Sequence, residues 1–190
     1  MKTNSLLIIL LGSFCALCFA SELTEDAVQE VVTTIDSSMK NKNLQGVADC
    51  LSSDVEIVSH VNFINLQGGN EINTRSKQEY IDMIKEGWDK YTHYTYNVSN
   101  VVIKISNNKA LVTSDIEESA TYQGRTLIAN SKQKVTVEII EGEPLVTKMV
   151  MDISVKESIR SQESTESDTI DITDIFTEVV NGIIDAVGLK

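Results

Sequence analysis

The sequence predicts an α+β fold in which N-terminal helices precede a long antiparallel meander. Three observations predict it. Apolar residues recur at helical spacing in three segments before residue 91, and β-branched stretches separated by polar turns fill residues 93–155. Between the second and third helical segments, "LQGVADCLSSDVEIVSH", residues 44–60, passes from a helical to a strand pattern across Ser52, Ser53 and Asp54.

The first 20 residues, "MKTNSLLIILLGSFCALCFA", carry one Lys, an apolar run from Leu6 and compact residues before Ser21. That is the layout of a secretory signal peptide, too short for a stable membrane anchor. The expectation is a cleaved leader and a secreted or periplasmic protein. Cys15 and Cys18 leave with it, so Cys50 has no intramolecular disulfide partner and reads as an inert buried thiol. The net charge of −12 becomes more acidic by one when Lys2 is lost. Nucleic-acid binding is therefore not expected, because it draws its affinity from clustered Lys and Arg.

In "TEDAVQEVVTTIDSSMK", residues 24–40, Val28, Val31, Val32, Ile35 and Met39 form one helical stripe, with Thr24 as N-cap. Leu44, Val47, Ala48 and Leu51 give a short second helix, and a strand begins from Asp54. "NLQGGNEINTR" reads as a polar loop. Ser76 and Glu79 make a capping box for a third helix that buries Tyr80, Ile81, Ile84 and Trp88. Four long strands come after it, turning at "SNNK", "QGR" and "EGEP", and Pro144 stands at a strand start where its missing N–H does least harm. Residues 21–155 thus make one domain. Residues 156–171 are an acidic, Ser/Thr-rich linker, and 172–190 an amphipathic helix with Ile175, Phe176, Val179, Val180, Ile183, Ile184 and Val187 on its apolar face.

"KNKNLQGVADCLSSDVEIVS" together with the later "SKQEYIDMIKEGW" resembles the NTF2-like superfamily, the SnoaL and ketosteroid-isomerase-like cone fold, over residues 24–155. The resemblance implies a sheet curled around the helices, often with an apolar pocket at the open end. It also implies positions for an isomerase's tyrosine donor and aspartate base. These fall on Ile35 and Ser59, which can serve neither role at neutral pH.

Pocket candidates are His60, Tyr80, Trp88, Tyr94, Tyr96, Ser131 and Gln133. Asp115 and Glu117 share a face that reads as solvated. His60 and His93 lack spaced partner ligands, so no metal and no cofactor is expected. The functional expectation is an exported, non-catalytic NTF2-like domain that binds a small apolar ligand or a protein partner. The alternative is an isomerase, lyase or cyclase on the same fold. Leu111, Val112, Val135, Val137, Ile139 and Ile140 suggest a homodimer through the sheet. The C-terminal helix is expected to dock on the domain itself or else to capture a protein partner.

Overall fold

A computed structural model describes residues 22–64 and 70–158. The leader, most of the acidic linker and the C-terminal helix expected from the sequence lie outside the described residues. The elements are α1 (Glu25–Lys40), α2 (Leu44–Asp49), β1 (Leu51–Phe63), β2 (Glu71–Arg75), α3 (Lys77–Lys90), β3 (His93–Ser106), β4 (Lys109–Tyr122), β5 (Arg125–Ile140) and β6 (Glu143–Glu157).

Local chemistry fixes the helix starts. The Thr24 side chain accepts from the Ala27 amide, and Ser76 with Glu79 closes the expected capping box. β3 to β6 form a meander with two-residue turns at Asn107–Asn108, Gln123–Gly124 and Glu141–Gly142. Every one of these residues has positive φ, between 48° and 94°. That is the backbone of type I′ turns, whose twist suits the right-handed twist of paired strands.

The strand order is β2-β1-β6-β5-β4-β3, a six-stranded curved sheet that does not close. Two features depart from the sequence reading. β1 begins at Leu51 rather than Asp54, and the segment read as a loop contains β2, antiparallel to β1 from Ile57↔Arg75 to Val61↔Glu71. β2 is a short edge strand whose one large apolar side chain, Ile72, is 74% exposed, so it has no inward apolar alternation to announce it. β1 runs parallel to β6, which joins the helical half of the chain to the last strand of the meander.

The helices pack on one face of the sheet. Val28, Val47, Ile57, Val137, Val146 and Met149 are among the most buried residues there. Of the residues expected at a dimer face, Val112, Val135 and Val137 belong to this core, whereas Leu111 and Ile140 are exposed. The opposite face is mixed: Leu111 is exposed and Val150 half-buried, but one cross-strand row reads His60, Asp152, Lys132, Asp115, Ser99. No helix among the described residues is long and apolar enough to cross a membrane.

Ile57 is fully buried whereas Leu111 is 43% exposed. Ile57→Ala should lower stability by about 2–5 kcal/mol, and Leu111→Ala by no more than about 0.5 kcal/mol. Urea unfolding of the two variants checks that difference.

Candidate functional site

Strand alternation delivers the residues of the inner face. Along β4, Ala110, Val112, Ser114 and Ile116 turn inward and are buried. The same period carries Glu118 to the inner face, where β5 opposes it with Ala129 and β3 with Tyr96. Tyr94, two residues earlier on β3, donates from its hydroxyl to Glu118 Oε1 at 2.7 Å. α3 adds Tyr80, which is buried, and Trp88, whose ring meets Tyr94 edge-on at 6.2 Å.

Removal from water raises the Glu118 carboxyl above its ordinary 4.5, and the hydrogen bond from Tyr94 opposes the rise. The phenols respond to the same environment. Burial, with Glu118 nearby, pushes Tyr80, Tyr94 and Tyr96 far above 10. All three remain neutral hydrogen-bond donors at physiological pH.

Two further groups complete the cluster. The Arg75 guanidinium is buried at the end of β2 and donates to Ser59 Oγ at 2.9 Å. Burial draws it below its usual range, while Glu79, Tyr80 and Glu71 hold it up. Asp36 on α1 pairs through Oδ2 with Lys40 at 2.9 Å, and its Oδ1 is buried without a hydrogen-bond partner. The Asp36 charge also acts on Tyr96, from the helical side of the cone.

The sequence candidates divide between the two faces. Tyr80, Trp88, Tyr94 and Tyr96 come together around Glu118. Ser131 and Gln133 are half-buried on the same face, and Gln133 accepts weakly from Ser114 at 3.5 Å. His60 does not join them. It is exposed on the opposite face with Nδ1 2.8 Å from Asp152, in a groove of about 790 Å³ shared with Asp115, Lys132 and Asn130. The groove is open and lies across the sheet from the phenol cluster, so its size does not mark the chemistry.

Glu118 and Arg75 escaped the sequence reading. The signal for Glu118 was present, because a period that turns Asp115 and Glu117 outward turns Glu118 inward. The buried Cys50 thiol is raised by its surroundings, as an inert cysteine should be. Among the described residues no group of His, Cys, Asp and Glu has the arrangement of a metal site. Glu118 and the phenols of Tyr80, Tyr94 and Tyr96 give the inner face groups that can hydrogen-bond a ligand.

Comparison with known structures rests on shape alone. No family model and no curated protein sequence matches the chain. A hexachlorocyclohexane dehydrochlorinase, LinA type 2, superposes with a TM-score of 0.56 at 11% identity, over 75% of this chain and 94% of that one. An NTF2-like protein from Cytophaga hutchinsonii gives 0.53 at 15% identity, over 68% and 98%. The chain has an NTF2-like fold. A conserved protein from Planctomyces limnophilus gives 0.56 at 13% identity, over 68% and 94%. The NTF2-like cone expected from "KNKNLQGVADCLSSDVEIVS" is thus the fold observed.

Charging Glu118 opposes folding. The unfolded chain releases this proton near 4.5 and the folded chain only at higher pH, so the native state is penalised as pH rises above 4.5. Glu118→Gln keeps an acceptor for Tyr94 and cannot charge. Its melting temperature should exceed that of the unmodified protein by a few degrees at pH 7, with the difference closing as pH falls below 4.5. Thermal unfolding across pH measures this.

Proposed function

We propose that this domain is an exported, non-catalytic binding module whose cone holds a small, largely apolar ligand by one polar anchor, the Glu118–Tyr94 pair. The observation that carries the reading is a half-buried carboxyl, raised by its removal from water and bonded to the Tyr94 hydroxyl, on an inner face that otherwise presents mostly uncharged phenols, hydroxyls and apolar side chains. Ala129 opposes Glu118 and Ala120 lies two residues along the strand, and both are only half-buried. Two small side chains beside a carboxyl leave room where larger ones would fill it. The fold is shared with a hexachlorocyclohexane dehydrochlorinase, so this scaffold suits a compact apolar molecule. Glu118 and the phenols then supply one or two hydrogen bonds to a carbonyl or hydroxyl group of the ligand. Export is supported by Lys2, the apolar run from Leu6 and the compact residues before Ser21.

A second reading, proton-transfer catalysis by an isomerase, lyase or cyclase, is favoured by Asp36. Asp36, with one buried oxygen lacking a hydrogen-bond partner, and Glu118 both act on Tyr96, which brings a second carboxyl group to the phenol cluster. Under that reading Asp36→Asn retains the ligand and abolishes its conversion.

Native mass spectrometry of the protein purified from its own source should detect a small-molecule adduct. Ala129→Phe, which fills the space opposite Glu118, should lose the adduct while keeping its melting temperature within a few degrees. A source-purified protein free of any adduct contradicts the binding reading.

A further inference from the structure

The inner face is only partly covered by the described helices. α1 packs on β3 and β6, and α3 on β1 and β2. Beyond them, the far ends of β1, β5 and β6 carry Val61, Leu127, Ala129 and Val155, all half-buried and none packed against the central core. Register puts them on one patch: Val61 opposes Ile153, Ala129 opposes Val155, and Leu127 lies two residues before Ala129. This patch rims the Glu118 site.

The described chain ends at that rim. Arg125 clamps Glu157 through two hydrogen bonds of 2.7 and 2.5 Å, and the Ser158 amide donates to the Thr126 carbonyl at 2.8 Å. The backbone therefore leaves the fold beside Leu127. The polar linker comes next in the sequence, and after it seven large apolar residues at helical spacing between Ile175 and Val187. Each would contribute roughly 1.5–3 kcal/mol if fully buried. Asp174, Glu178 and Asp185 fall on the opposite side of that pattern, suited to solvent.

We propose that residues 173–188 of this chain dock their apolar stripe on the patch formed by Val61, Leu127, Ala129 and Val155. Tethering selects this occupant over a second copy. A coil the length of residues 159–172 spans on the order of 20 Å, while the patch lies within about five strand residues, ~17 Å, of Ser158. A segment held that close competes at an effective concentration near the millimolar range. The acidic side of the stripe argues against a membrane as the alternative occupant, since anionic headgroups repel it.

The test uses a chain in which Cys15, Cys18 and Cys50 are replaced by Ser and a nitroxide is attached at Asp185→Cys, on the side of the segment opposite its apolar stripe. Methyl NMR should show loss of peak height at Val61, Leu127, Ala129 and Val155, with Val58, Leu111 and Val150 on the opposite face unaffected. Val180→Asp with Ile184→Asp in the same chain should restore those peaks. A mixture of nitroxide-bearing, isotope-free chain with isotope-labelled, nitroxide-free chain should show no such loss. Three results overturn the proposal: broadening that appears only in the mixture, which assigns the segment to a second copy; broadening of the opposite face; and no site-selective broadening at all. Because the readout needs no ligand, its failure is separate from failure of the binding reading.

Discussion

The parallel pairing of β1 with β6 is the constraint on which the rest of this fold depends. Every other strand contact is an antiparallel neighbour, and β3 to β6 are joined by two-residue turns that form locally. β1 and β6 are separated by most of the domain, yet they align from Glu56↔Lys148 to Phe63↔Val155. That ladder buries Ile57 against Met149 and ties α1, α2, β2 and α3 to the meander. It also fixes what faces inward. With Phe63 beside Val155, one inner row runs on through Ala129 to Glu118 and Tyr96 across the sheet.

Into that inner face the chain has placed a carboxyl group, although the protein is already acidic. Burial takes Glu118 out of water and so favours its protonated form, against the opposing hydrogen bond from Tyr94. The phenols of Tyr80, Tyr94 and Tyr96 stay neutral for the same reason. The result is a wall of uncharged hydrogen-bonding groups in an apolar cone. It suits a ligand that is mostly hydrocarbon with a polar atom or two, and it suits an ion poorly. Arg75, held at the β2 end by Ser59, and Asp36, paired with Lys40 on α1, are the exceptions.

Much of this was legible in the sequence. Ser76 with Glu79 announced α3, and the Asn-Asn and Gly-containing pairs announced three tight turns, because capping and left-handed backbone conformations have local chemical requirements. Tyr80, Trp88, Tyr94 and Tyr96 were identified from helical and strand periods, and they do converge. The failures were also physical. β2 carries Glu71, Asn73, Thr74 and Arg75 around a single outward Ile72, so pairing with β1 rather than burial makes it a strand. His60 was among the pocket candidates, but the register of β1 turns it to the other face beside Asp152, where it is exposed. Glu118 stood in the same acidic run as Asp115 and Glu117, and its composition concealed its inward phase.

The claim that most of this account rests on is that Glu118 is a desolvated group inside the cone, held by Tyr94. A pH titration of the Glu118 side-chain carboxyl by carbon NMR tests it most directly. The account predicts a midpoint above 4.5, moving higher still in Tyr94→Phe, where the hydrogen bond that favours the charged form is lost. A midpoint at or below 4.5, unchanged by Tyr94→Phe, would place Glu118 in water and contradict it.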